Sequence, residues 1–323
     1  EEDDGADPRG DLDDEPSTPT SSAALQQKRA AALRKRRADA ASRRFDAVLR
    51  APGRETDVDA LMGRAKAMES VGQTAAATDV LNRVVVQRPG FAPAAVEKAK
   101  LQMQAGDWDA ALETTRRILD ANPDDVEATR VVAFHLLARE GDVRGAAEAL
   151  GNLSRILERV EPRNATLLLT CSRDFASLAG GSSLVLDACG AMLRRALELR
   201  PEDVETLNES ATQRRLAGDY RGAIAAYRHA AEIDERDGTL DDLSSVYGTI
   251  HAQLLDHQLE EASSQLEFLN DVATERSARL AFLTALRDSE SIGIHRFSMK
   301  LPFTFASITF DLITFRTKPI YVG

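Results

Sequence analysis

A chain of 323 residues is long enough for two compact domains or one elongated array, so length alone does not choose between them. Aromatic residues make up only 5% of it, and residues 21 to 290 are rich in Ala, Leu, Arg and Glu with few prolines, a composition that excludes a sheet-based fold as the main architecture. Acidic residues outnumber basic ones by 52 to 41, and the net charge of -11 weighs against nonspecific nucleic-acid binding as the main activity.

In chain order, residues 1 to 20 open with "EEDDGADPRGDLDDEP", which holds most of the excess negative charge and almost nothing apolar. Such a tract cannot offset the entropy of ordering and is expected to be disordered. The first residue is Glu rather than Met and no secretory signal is visible, so an upstream portion and its targeting stay open. Residues 21 to 57 form a basic helix or linker, with nine Lys or Arg between Ser21 and Arg50 and little apolar stripe. Anionic lipid, RNA or an acidic partner would suit it, but a solvated linker helix beside the acidic tract is the plainer expectation.

From residue 58 a repeat begins. Three strings carry it: "VGQTAAATDVLNRVVVQRP" ending at Pro89, "AGDWDAALETTRRILDANP" ending at Pro123 and "AGDYRGAIAAYRHAAEIDE" ending at Glu235. Pro89 to Pro123 is 34 positions, as is Gly72 to Gly106, the period of a tetratricopeptide repeat. Gly72, Gly106, Gly141 and Gly218 end helix A of a pair in the left-handed conformation that a residue without a β-carbon adopts most easily. Five residues on, Ala77, Ala111, Ala146 and Ala223 are small enough to let helix B approach helix A. Leu81, Val84, Ile118, Leu119, Tyr227 and Ala230 fill the interface with the next repeat, and Pro89, Pro123, Pro162 and Pro201 close helix B. Trp108, the single tryptophan, stands where Thr74, Val143 and Tyr220 stand in other copies. It is therefore read as packing at the start of helix B rather than as a ligand-stacking aromatic.

Two central copies are longer, since Pro123 to Pro162 and Pro162 to Pro201 are each 39 positions, the second turning through "LAGGSS" at Leu178 to Ser183. A further copy, "LLDHQLEEASSQLEFLN", puts His257 at the turn-glycine position and Ala262 five residues on, and "ERSARLAFLTALRD" supplies a last helix A. Residues 58 to 290 thus read as about six repeats in an all-α solenoid, a right-handed superhelix of antiparallel helix pairs with a concave groove. Polar helix-A positions Lys98, Gln102, Arg130, Asn208 and Gln213 are the candidate groove contacts. At Ser291 the character changes: residues 291 to 323 hold five phenylalanines and no glutamate. A β-hairpin or membrane-binding tail is conceivable, but the abruptness favours an atypical tail produced by intron read-through or a frame change in a gene model.

Signatures of catalysis are missing: there is no G-x-x-x-x-G-K-[ST], G-x-G-x-x-G, H-E-x-x-H, C-x-x-C or G-x-S-x-G. His135, His229, His251, His257 and His295 are scattered without a metal-ligand pattern. Cys171 and Cys189 are too few for a disulfide framework and read as small buried residues. The carboxylates of "NPDD", "RPEDVE" and "LEEA" suit helix starts and exposed faces. The sequons at Asn152, Asn164 and Asn208 are read as chance, and no run of about 20 apolar residues suggests a membrane span. The reading is a non-enzymatic binding protein without cofactor or metal.

Beyond the generic repeat, "VVAFHLLAREGDVRGAAEAL" at Val131 to Leu150, "RVEPRNATLL" at Arg159 to Leu168 and "LLDHQLEEASSQLEFLND" at Leu254 to Asp271 resemble the tetratricopeptide repeat protein 21 family, the similarity running from about Leu61 to Asp288. That family supplies the large repeat subunit of intraflagellar transport complex A, which serves retrograde transport in cilia. Family members are much longer arrays, so this chain would correspond to an internal fragment. The resemblance implies a protein-interaction scaffold whose partners are the WD40 and repeat-bearing subunits of complex A, with ciliary cargo and dynein-driven trains as indirect partners. It implies location in the cilium or flagellum with a cytoplasmic and basal-body pool. The alternatives are a generic cytosolic repeat adaptor or co-chaperone that binds peptide segments, and a lipid or RNA adaptor working through Lys28 to Arg44.

Overall fold

The computed structural model describes residues 20–237, 243–272 and 278–291, and these form 14 α-helices with no strand among them. The acidic tract and the atypical tail lie outside the described residues, apart from Thr20 and Ser291 at helix ends. The chain divides into two compact units, residues 1–88 and 89–323.

The first unit contains α1 (Thr20–Leu49), α2 (Val58–Glu69) and α3 (Thr74–Gln87). Helices α2 and α3 make a hairpin that turns through Gly72 at φ +78°. Ala77, Leu81 and Val84 of α3 are buried. The basic helix α1 is not solvated all round, because its C-terminal half packs on α2. The Phe45 ring covers Gly63 so closely that a β-carbon there would lie 2.4 Å from it, Ala38 is buried, and Arg64 pairs with Asp46 at 3.1 Å.

The second unit is a run of helix hairpins: α4 (Ala92–Gln104) with α5 (Trp108–Ala121), α6 (Val126–Phe134) with α7 (Val143–Val160), α8 (Ala165–Ala176) with α9 (Ser183–Leu199), α10 (Val204–Leu216) with α11 (Tyr220–Asp237), and α12 (Ser244–Leu255) with α13 (Leu259–Val272). Helix α14 (Ala278–Ser291) packs on α12 and α13. A π-helical turn, His135–Glu140, extends α6. Together with the 18 residues of α7, against 14 in α5, it accommodates the longer period between Pro123 and Pro162.

Local chemistry sets each boundary. Asp57, Asp107, Asp125, Asp142, Asn164 and Asp203 cap the helices they precede, each side chain accepting the backbone N–H three residues on. Helices α3, α5, α7 and α9 each end two residues before Pro89, Pro123, Pro162 or Pro201. The intervening Arg88, Asn122, Glu161 and Arg200 all leave the helical region (φ between -131° and -142°), because a proline ring excludes the helical conformation from the residue before it. Helix α11 lacks such a proline and runs on to Asp237. At the other turn His257 takes φ +59°, the one non-glycine residue with positive φ among the described residues, in the place glycine fills elsewhere.

Helices A and B approach at the fourth residue of helix B. Ala77, Ala111, Ala146, Ala223 and Ala262 are all essentially without solvent contact there. In α9 that place holds Leu186, and the connection from α8, residues 177–182, is longer. Trp108 is half-buried and spans a repeat boundary, stacking on Phe134 at 6.1 Å between ring centroids and tilting over His135 at 5.9 Å. Ile118 and Leu119 pack with Val96 of α4 and Ala128 of α6, and Tyr227 with Ala211 of α10 and Ala252 of α12.

Gly248 of α12 lies directly under Tyr227 of α11, whose ring would be 2.4 Å from an added β-carbon. Gly248→Ala should therefore lower stability by about 1–3 kcal/mol through overpacking. Gly151→Ala, in the open interior of α7 with nothing within 4 Å, should raise it by about 0.5–1 kcal/mol. Urea denaturation followed by circular dichroism checks both signs.

Candidate functional site

Helices α4, α6, α8, α10, α12 and α14 are the A members of the second unit, and polar side chains link the first four of them in turn. Lys100 of α4 bonds Glu97 at 3.1 Å and Glu127 of α6 at 2.9 Å. Arg130 of α6, with 0% side-chain exposure, pairs with Glu127 and with Asp174 of α8. Arg173 of α8 reaches Glu205 at 2.8 Å and Glu209 at 3.1 Å on α10. Gln213 of α10 donates to Ser172 Oγ at 2.8 Å and to Glu209 Oε1 at 3.2 Å. Burial opposes the charge of Arg130, but Cys171, Glu127 and Asp174 around it outweigh that effect and hold the guanidinium above its usual pKa. Burial likewise opposes Glu127, yet Arg130 and Lys100 keep its carboxyl below the usual range, whereas at Asp174 burial prevails and raises it.

Where this ladder ends, a concave cavity of about 940 Å³ opens among α8, α10, α11, α12 and α14. Glu205, Asn208, Glu209 and Thr212 line it from α10, and Ser244, Tyr247, Gly248 and His251 from α12. Both sets follow the i, i+3, i+4, i+7 spacing of one helix face. Arg173, Arg215, Tyr227, Asp234 and Phe282 complete much of the wall. The Tyr227 hydroxyl lies 2.8 Å from Thr212 Oγ1, and the ring of His251 meets Phe282 edge-on at 5.5 Å. Asn208 Oδ1 and Arg215 Nε are buried atoms without a hydrogen-bond partner. A wall combining two guanidiniums, three carboxylates, an amide, hydroxyls and aromatic faces suits an extended peptide or the edge of another protein.

Among the residues expected to face a groove, Asn208 lines this cavity. Arg130 is wholly buried in its ion pairs and Gln213 is 5% exposed, so both act between helices. Gln102 accepts a bond from Thr114 of α5 at 3.0 Å, and Lys98 is half-buried on α4. Arg215, Tyr247, His251 and Phe282 escaped the sequence reading. Their helical spacing was available, but which helix faces converge depends on how pairs stack.

Neither cysteine is placed for reaction: Cys171 and Cys189 are free, buried thiols pushed up to about 12 by burial. No group of three or more His, Cys, Asp or Glu positioned to hold a metal occurs among the described residues, and no described helix is long and apolar enough to cross a membrane.

Consecutive helix hairpins, each packed on the next, define a helical-repeat scaffold of the tetratricopeptide type. Solved structures agree on the fold: PilW, described as a widely conserved type IV pilus biogenesis factor, aligns with a TM-score of 0.51 at 15% identity, covering 70% of this chain and 97% of that one. A tetratricopeptide repeat protein from Parabacteroides merdae gives 0.52 at 14% identity, covering 79% and 98%. Two family profiles match, the tetratricopeptide repeat protein 21 N-terminal ARM repeat over residues 22–112 and the second ARM domain over residues 148–301. Human tetratricopeptide repeat protein 21B is 36% identical over 232 residues, which are 71% of this chain and 17% of that protein. Mouse protein 21A is 33% identical over the same shares. The chain belongs to the tetratricopeptide repeat protein 21 family and matches about a sixth of the length of these relatives. The match starts within α1, earlier than the expected start near Leu61, and extends past Asp288.

Two consequences can be measured. Arg130→Ala leaves the Glu127 and Asp174 carboxylates without their shared cation and should cost about 3–5 kcal/mol in urea denaturation. Burial first, and the nearby Arg215 charge second, lower the His251 pKa from 6.5 to about 4. The unfolded chain therefore binds the proton more readily, and the stability from neutral His251 is complete above pH 6.5 and lost as pH falls towards 4. Thermal melts of His251→Leu should show a shallower decline over that window than the parent protein.

Proposed function

We propose that this chain is an interaction segment of the large repeat subunit of intraflagellar transport complex A, acting in retrograde ciliary transport and cilium assembly. The observation that carries this reading is membership of the tetratricopeptide repeat protein 21 family over both matched regions. The cavity around Asn208 and Arg215 supports it with a surface suited to a protein partner. Family and fold are both typical of non-catalytic scaffolds.

In this reading the direct partners are WD40 and repeat-bearing subunits of complex A, and ciliary cargo and dynein-driven trains are reached through them. No nucleic acid partner is included. The protein works in the cilium, with a cytoplasmic and basal-body pool. Affinity comes from many shallow contacts along helix A faces, with Lys98 and Asn208 among the partly exposed polar positions. Arg130, Gln213 and Gln102 would contribute by fixing the helices that carry those faces. A peptide-binding co-chaperone role is not favoured, because the relatives matching about 70% of the chain are tetratricopeptide repeat proteins 21A and 21B.

The test is affinity purification of the tagged chain from ciliated cells with quantitative mass spectrometry, beside an Asn208→Arg, Arg215→Glu double variant. Complex A subunits should accompany the parent chain and fall by about tenfold or more with the variant, the loss expected when charge in a central contact is reversed. Recovery of chaperones alone, or of the same cytosolic proteins with both chains, would count against the assignment.

A further inference from the structure

The first unit carries a second surface, separate from the cavity above. A groove of about 680 Å³ runs between α1 and α2. Its floor is made of small residues, Ala38 and Ala41 from α1 and Ala67 from α2, with the exposed Ala30 at one margin, Lys66 and Ser70 along the α2 side, and the Phe45 ring, which covers Gly63, at one end. On α1 these positions follow the three-and-four spacing of one helix face. Leu33 stands at the margin with 50% of its surface exposed, and Arg34 and Arg37 rise beside it.

The charge around this groove is unbalanced. Eight of the 17 residues from Lys28 to Arg44 are Lys or Arg, in a chain whose net charge is -11, and none of the eight forms an ion pair among the described residues. Small residues along two helices permit a third helix to settle at the usual 8–10 Å interaxial distance. A duplex nucleic acid would meet the arginines through its phosphates and leave the small apolar floor unused. A membrane-binding helix presents bulky apolar side chains outward, whereas this floor is recessed and Leu33 alone projects. The acidic tract at residues 1–16 has the right charge but offers only Leu12 as a large apolar side chain.

We infer that the α1–α2 groove docks an acidic amphipathic helix of a partner protein, its apolar stripe on the alanine floor and its carboxylates against Arg34 and Arg37. This is independent of the complex A assignment, since it rests on the groove and its charge alone.

The probe is a fluorescein-labelled helical peptide of about 20 residues, Leu and Ala on one face and Glu elsewhere, titrated with the full chain by fluorescence anisotropy. A peptide of the same composition, scrambled to remove the stripe, is the control. The striped peptide should bind, weaken with added salt, and lose about tenfold in affinity on scrambling or with Leu33→Glu or Arg34→Glu, Arg37→Glu. All three positions are exposed, so circular dichroism melts should match the parent. Equal binding of the scrambled peptide would reduce the surface to a charge patch and overturn the inference. Absence of peptide binding, or indifference to Leu33→Glu, overturns it as well, and capture by phosphatidylserine vesicles or RNA in its place would assign the patch to those polyanions.

Discussion

Close approach of helix A to helix B is the constraint from which the rest of this protein follows. Ala77, Ala111, Ala146, Ala223 and Ala262 occupy the same place in five helices and are shut off from solvent in all of them. A larger side chain there would push the helices apart, and packed interiors absorb added volume at a cost of about 1–3 kcal/mol. The regular hairpins that result bury one face of each helix against its neighbours. Gly63 under Phe45 and Gly248 under Tyr227 extend the same economy of space to the packing between successive helices.

Polar residues do a different job along the inner side. Arg130 and Gln213 looked from their residue types like contacts for a partner, yet each is buried between successive A helices, as is Lys100. The attraction of Arg130 for Glu127 and Asp174 has to outweigh the desolvation of all three, so such a pair adds little net stability compared with apolar packing. What it does impose is register, because the guanidinium is satisfied only when α6 and α8 sit at one offset. Register in turn decides which side chains of α10, α12 and α14 converge on the cavity.

The two surfaces suited to partners differ in kind. The cavity in the second unit mixes charge, hydroxyls and aromatic rings and is walled by several helices. The groove in the first unit is narrow, apolar at its base and cationic at its rim. Repeat architecture explains how one short chain presents both: each hairpin needs only its neighbours for stability, so the residues left over are free to diverge.

Much of this was legible in the residues. Asx caps, turn glycines, paired alanines and terminating prolines are local devices whose effect reaches three or four positions, so the helices, their pairing and even the glycine-like turn at His257 could be placed without coordinates. The family motifs were visible for the same reason. The partners of Arg130, the burial of Gln213, the assembly of the cavity from Arg215, Tyr247, His251 and Phe282, and the docking of α1 on α2 were decided only by tertiary structure. Helical spacing says which side chains share a face, but which faces meet depends on the angle and offset at which whole helices stack, a property summed over many small contacts and written in no single stretch of the chain.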